Sequence, residues 1–187
     1  MKFSNDWFEG FKPYLKNILK TKNVNKILEI GTFEGAFPCW ALENYPHIDF
    51  YCIDSWENSE GHQETMDRVY KTFCENTKNL NLTVIKKDSR DGLLDLSQNH
   101  IEYFDLIYID GCHHKPDIVL SDAVLSYHLL KTGGIMIFDD YLWVDRYREH
   151  SISYSPKLAI DSFVNSYFNK LEILSQYDAG RIYVRKK

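Results

Sequence analysis

Apolar residues along this chain fall in short unbroken runs separated by longer stretches of helical period, the pattern of buried parallel strands alternating with helices. The runs occupy 26–30, 50–54, 82–86, 104–110 and 135–138. Helices are predicted between them: from Gly35, carrying Phe37, Trp40 and Leu42, to about Asn44; over 60–79; over 92–98; and over 117–130. The last of these has an inner stripe of Ile118, Val119, Leu125 and Leu129 and is stopped by Lys131-Thr132-Gly133-Gly134. A further helix begins near Pro156 and presents Ile160, Phe163, Val164, Tyr167 and Phe168. Two closing strands, 171–175 and 181–184, joined through Asp178-Ala179-Gly180, predict an antiparallel pair. Ahead of the first run, Trp7, Phe8, Phe11, Tyr14, Leu15, Ile18 and Leu19 predict two short helices, with Pro13 near the start of the second, forming an N-terminal helical cap over 1–25. Strand and helix in alternation make this an α/β, doubly wound, Rossmann-like sheet.

The first run passes directly into a glycine turn, Glu29-Ile30-Gly31-Thr32-Phe33-Glu34-Gly35. Its spacing is Glu-x-Gly-x-x-x-Gly, and Phe33 stands where a dinucleotide site needs glycine against the pyrophosphate. A nucleoside ligand without pyrophosphate fits better. The second strand ends on Asp54, near the ~20-residue separation that places an acid on ribose hydroxyls in related sheets. Ser55 and Trp56 follow it. Asp88-Ser89, Asp110 and Asp139-Asp140 end the third, fourth and fifth strands, where ligands of open α/β sheets gather. An Asp at a strand end is also a common N-cap or turn residue, and that reading stands beside the functional one.

The glycine turn resembles the first motif of class I S-adenosylmethionine-dependent methyltransferases. Ile109-Asp110-Gly111-Cys112-His113-His114 with Gly133 to Tyr141 resembles the macrocin/catechol branch of small O-methyltransferases, methyltransferase family 24. The resemblance runs from about Lys26 to the final strand. It implies a mostly parallel seven-stranded methyltransferase sheet with a C-terminal antiparallel strand pair. It also implies that Glu29, Gly31, Thr32 and Gly35 surround the methionine part of S-adenosylmethionine, that Asp54 holds the ribose with Ser55 and Trp56 flanking the nucleoside, and that Asp88 and Ser89 face the adenine. Asp110, Asp139 and Asp140 become ligands of a divalent metal beside the methyl donor, with Asp110 at the boundary of both sites. His113 matches the place of a catalytic Lys in the catechol enzymes and becomes the general base beside Asp110, with His114 as the fallback. Sugar-modifying members carry an acid where this chain has Cys112, which weakens transfer of a sugar substrate.

The metal has a physical case of its own. Three carboxylates brought to adjacent strand ends repel or raise a pKa, and a hard cation relieves that; an all-oxygen set suits Mg²⁺. The chemistry expected is O-methylation of a small hydroxylated molecule such as a diol, catechol or sugar. The rival is a non-catalytic S-adenosylmethionine- or nucleoside-binding module with structural acids. Trp143, Tyr147 and Tyr154 are candidates to line a substrate pocket or to pack in a loop.

Composition narrows the partners. A chain of 187 residues fits one domain, here 1–187, and a net charge of −5 gives no electrostatic footprint for nucleic acid. Residues 1–10 hold no apolar signal core, and no run approaches a membrane span, so a cytoplasmic protein is expected. The four cysteines contain no Cys-x-x-Cys pair, which fits reduced thiols. The basic end, Arg185-Lys186-Lys187, reads as a solvated tail. A small-molecule substrate is the partner expected, and a homodimer is left open.

Overall fold

The computed structural model describes residues 1–57, 63–144, 152–174 and 180–187. Among the described residues there are seven strands: β1 Lys26–Ile30, β2 Asp49–Asp54, β3 Leu82–Lys86, β4 Phe104–Ile109, β5 Leu130–Phe138, β6 Leu171–Ile173 and β7 Ile182–Lys186. They form one sheet in the order β3-β2-β1-β4-β5-β7-β6. The first five pair parallel, and β7 runs antiparallel between β5 and β6, as the seven-stranded reading requires. Among the described residues, six α-helices cover it: α1 Lys12–Thr21, α2 Ala36–Asn44, α3 Gln63–Thr77, α4 Ser89–Ser97, α5 Pro116–Leu129 and α6 Pro156–Ser166. Among the described residues, no helix is long and apolar enough to cross a membrane.

Alternate residues of the central strands face opposite layers, as the period of two demands. Ile27, Phe50, Cys52, Leu106, Tyr108, Ile135 and Ile137 pack with α1, α2 and α3 through Phe11, Leu15, Ile18, Phe37 and Phe73. Leu28, Ile30, Ile53, Ile107, Ile109 and Met136 pack with α4, α5 and α6 through Leu93, Val119, Ala123, Ile160 and Phe163. The reversal of winding between β1 and β4 opens the crevice in which ligands of such sheets bind. At this point the turn after β1 closes on the end of β4. Gly31, at φ +86°, lies so near that a Cβ there would sit 2.2 Å from the Asp110 carbonyl oxygen.

Several boundaries differ from the sequence reading. Only the second N-terminal helix forms; residues 7–11 make turns, because Gly10 and the fixed φ of Pro13 break the period, and Trp7 stays 74% exposed. The fourth helix starts at Ser89, three residues earlier than predicted, because Asp88 caps it by accepting from the Arg90 N–H at 3.1 Å. Leu130–Gly134 extends β5 instead of forming a stop, with a register shift opposite Phe104 and Leu106 that absorbs the glycines. The buried face of α5 is Val119, Asp122, Ala123, Ser126, Tyr127 and Leu129, so Ile118 and Leu125 are only partly covered. α6 ends at Ser166 and leaves Phe168 73% exposed. The basic end is no solvated tail: β7 runs to Lys186, whose ammonium donates to the carbonyls of Tyr127 at 3.1 Å and Leu130 at 2.8 Å. Predicted features at residues 58–62, Tyr147 and the Asp178-Ala179 connection lie outside the described residues.

Two predictions follow from this packing. Gly31→Ala should cost roughly 3–5 kcal/mol, strain and overpacking together, because both its φ and its neighbours forbid a Cβ. Gly133→Ala has the same sign of φ, +82°, but open space around it, and should cost only about 1–2 kcal/mol. Urea unfolding of both variants checks this, and equal losses would contradict the close approach. The second concerns Asp122, 1% exposed, whose burial pushes its pKa up to about 7 against the pull of the Ser89 hydroxyl. The folded chain then holds a proton that the unfolded chain releases, so this contribution to stability is complete below about pH 4 and declines as pH rises to about 7. Relative to Asp122→Asn, the wild type should lose more than ~1 kcal/mol across that window, read from unfolding curves at several pH values.

Candidate active site

The glycine turn is held from three sides. Gly31 donates its N–H to the Ile53 carbonyl at 2.9 Å, and Asp110 donates its own to Ile30 at 2.8 Å, tying β1 to both neighbours. Asp54 at the end of β2 braces the turn: one carboxylate oxygen accepts from the N–H groups of Thr32 and Phe33, each at 2.9 Å, and the other from Trp56 at 2.8 Å. Burial raises its pKa against the pull of those backbone donors. Inside the turn Thr32 donates its hydroxyl to Glu29, which is 3% exposed. Burial, opposed by that hydroxyl and reinforced by Asp110 and Asp54, raises the Glu29 pKa well above the usual range.

One residue expected at the ligand face is placed otherwise. Trp56 is 2% exposed and packs against Tyr70 and Phe73 at ring distances of 4.8 and 4.7 Å, while its indole N–H donates to the Phe33 carbonyl at 2.9 Å. Its ring therefore supports the turn from within the core and does not flank an open nucleoside site. Asp88, as the cap of α4, spends one oxygen on the Arg90 backbone. Ser55 accepts from the Glu57 N–H at 3.2 Å, and Ser89 faces Asp122.

Beside the turn, the ends of β4 and β5 gather the acids. Asp139 follows Phe138, which pairs with Ile182 across the antiparallel ladder, so Arg181 comes opposite it. Arg181 Nε lies 2.9 Å from one Asp139 oxygen, with the side chains 17% and 11% exposed. Its guanidinium also rests 4.2 Å from the ring centre of buried Phe11. The Tyr108 hydroxyl donates to the other Asp139 oxygen and lies 3.2 Å from Asp110. Asp140, in the left-handed region at φ 54°, diverges from Asp139. Its carboxylate lies 2.6 Å from His113 Nε2, which is 3.4 Å from Asp110.

Asp110, His113 and Asp140 thus form a group whose ligand atoms all lie within 4.8 Å of one another. Asp139, expected to hold the metal with Asp110 and Asp140, lies beside them, paired with Arg181 and sharing the Tyr108 hydroxyl with Asp110. Burial works against a charged His113 ring, but the contacts to Asp110 and Asp140 outweigh it and push its pKa up to about 10, so in this arrangement the imidazole already carries its proton at neutral pH. Burial, with Asp139 and Asp140 adding and His113 opposing, pushes Asp110 up to about 6. Trp143 lies beside His113, rings 5.5 Å apart, whereas Tyr154 is 40% exposed.

Arg181 and Tyr108 are the participants that sequence reasoning missed. Tyr108 reads as one more apolar strand position. Arg181 required the β5–β7 register, although the predicted antiparallel pair was the signal that could have led to it.

Comparison with known proteins agrees with this architecture. The family whose description is "Methyltransferase domain" matches residues 28–141. An uncharacterized protein of Acanthamoeba polyphaga mimivirus is 32% identical over 139 residues, 68% of this chain, which spans 57% of that relative's length. The O-methyltransferase from Bacillus cereus in complex with SAH superposes with a TM-score of 0.72 at 18% identity, covering 98% of this chain and 84% of that one. The O-methyltransferase TomG from Streptomyces achromogenes, involved in tomaymycin synthesis and in complex with SAM, gives 0.68 at 16% identity, covering 98% and 82%. At such identities these two structures establish likeness of fold.

The Arg181–Asp139 pair makes a prediction of its own. Arg181→Gln leaves a mostly buried carboxylate without its cation and should cost about 2–4 kcal/mol, most of it recovered when Asp139→Asn is added. Chemical denaturation of both single variants and the double checks this, and simply additive losses would argue against the pair.

Proposed function

The chain belongs to the methyltransferase-domain family, and on that premise we propose that it is an S-adenosylmethionine-dependent methyltransferase that methylates a hydroxyl of a small molecule with the help of a divalent cation. The observation that carries the reading is the contact between the glycine turn and the acid cluster: the site for Gly31's missing Cβ lies 2.2 Å from the Asp110 carbonyl oxygen. A donor held by the turn and an acceptor held at the acids would therefore adjoin.

The chain's residues divide the work as follows. Gly31, Thr32 and Gly35 shape the turn that receives the methionine part, with Glu29 and Asp54 fixing it from below and from the side. Asp54, Ser55, Asp88 and Ser89 stand at the strand ends where the nucleoside would lie, the two acids having lone pairs to offer besides those their backbone partners use. Asp110 and Asp140 supply oxygen ligands for the cation, and Tyr108 and Arg181 fix the neighbouring Asp139. The oxygen donors fit a divalent ion, since the carboxylates of Asp110 and Asp140 converge. When bound, S-adenosylmethionine supplies an electrophilic methyl group, and the cation orients an acceptor hydroxyl and lowers its pKa.

A second reading has one observation in its favour. His113 and Arg181 already face the acids, so their charge is partly balanced by the protein itself, as a binding module with structural acids would have it.

Thermal unfolding with S-adenosylmethionine, S-adenosylhomocysteine and NAD, each with divalent metal or chelator, tests both readings. At 100 times its dissociation constant a ligand should stabilise by about 2.7 kcal/mol. Stabilisation by the two adenosyl compounds, enlarged by metal and followed by methyl transfer to a hydroxyl panel, is the expected result. A response that ignores metal, with no turnover, would replace the enzyme by the binding module; a response to NAD alone would sink both.

A further inference from the structure

We propose that Asp122 is a positioning residue of the nucleoside subsite: from inside the α4–α5 interface its carboxyl accepts a hydrogen bond from the Ser89 hydroxyl and seats the first turn of α4 against a bound nucleoside. This rests on the methyltransferase reading above and adds to it a residue that does not touch the ligand itself.

The buried face of α5 is not wholly apolar. Val119, Ala123 and Tyr127 share a core with Leu93 and Leu96 of α4, and Asp122 and Ser126 stand on the same face, 1% and 0% exposed. Spaced four residues apart, the two project from one side of the helix. Among the described residues, neither carboxyl oxygen of Asp122 has a hydrogen-bond partner, and the Ser126 hydroxyl has none either. Nearly every buried polar group in a folded protein is paired, because desolvation without a partner costs stability. Alanine at position 122 would suit both helix and core better. Local violations of this kind gather at functional sites, where another state supplies the missing partner.

The polar groups facing Asp122 belong to the start of α4. Burial holds its pKa high, the Ser89 hydroxyl pulls it down, Asp88 pushes it up and Arg90 pulls it down. Ser89 opens α4 directly after the capping Asp88 and is half-buried, so Asp122 lies on its inner side. A serine hydroxyl rotates to suit its partner, and an ionised carboxylate can only accept. The same turn is joined to the ligand face. The Lys87 N–H donates to the Asp54 carbonyl at 3.2 Å, and Gly92 seats α4 so closely that a Cβ there would lie 2.9 Å from Ile53 Cγ2. Holding the first turn of α4 therefore holds Asp88 and Ser89 in place beside Asp54.

Titration calorimetry of the full chain with S-adenosylhomocysteine, at about pH 8 where this carboxyl is ionised, tests the inference together with thermal unfolding of the free protein. Asp122→Ala and Ser89→Ala should each weaken binding about 10-fold, the worth of one hydrogen bond, and the double variant should lose no more than either alone. Asp122→Asn keeps an acceptor oxygen and should stay within about threefold of wild type. Without ligand, Asp122→Ala should melt no lower than wild type, since it removes a buried carboxyl that has no partner; a purely structural residue would show the reverse. Unchanged affinity in Asp122→Ala, multiplied losses in the double variant, or a lower melting temperature for Asp122→Ala would each overturn the inference. If the wild type takes up no S-adenosylhomocysteine, the methyltransferase reading falls and this inference with it. If it binds and all variants bind alike, the role of Asp122 fails and the methyltransferase reading stands.

Discussion

The fold turns on one close approach, that of the Gly31 backbone to the backbone of Asp110 and Gly111. A Cβ on Gly31 would lie 2.2 Å from the Asp110 oxygen and 2.6 Å from the Gly111 Cα, so β1 and β4 converge only because glycine stands there. The positive φ that glycine tolerates turns the chain upward at the same place. Asp54 then takes up the N–H groups that the turn exposes, and Trp56 fills the space beneath. Sheet, turn and acid cluster are therefore one mechanical unit, and a ligand at the turn is a neighbour of the acids by construction.

Charge is the second constraint. Glu29, Asp110, Asp139 and Asp140 crowd a partly dry region, which raises the proton affinity of Glu29 and Asp110. The protein answers with His113 and Arg181, each brought from a different part of the chain. Arg181 does more than neutralise: it links Asp139 to Phe11, so the N-terminal cap and the acid cluster share one guanidinium.

Much of this was legible beforehand because buried parallel strands and their crossover helices leave strong periodic signals. Strand-end acids at 54, 110, 139 and 140 were visible, and so was the glycine turn. What was not legible follows from contacts between distant segments. Trp56 looks like a ligand-facing ring beside an acid, and only the packing of α3 places it in the core. Asp122 and Ser126 look like exposed positions of α5, yet that face lies inward. Lys186 looks like part of a charged tail, but its ammonium finds carbonyls at the end of α5 and the start of β5.

The sequence by itself determined the alternation of strand and helix, the antiparallel finish and the residue types gathered at the strand ends, because local periodicity and turn chemistry depend on neighbours within a few positions. Tertiary structure alone decided how the acids divide. Asp139 and Asp140 are adjacent and chemically identical in the chain, and no local signal tells them apart. The register of β7 against β5 brings Arg181 to the first, and the left-handed turn leaves the second beside His113, so identical side chains acquire different partners through contacts with distant segments.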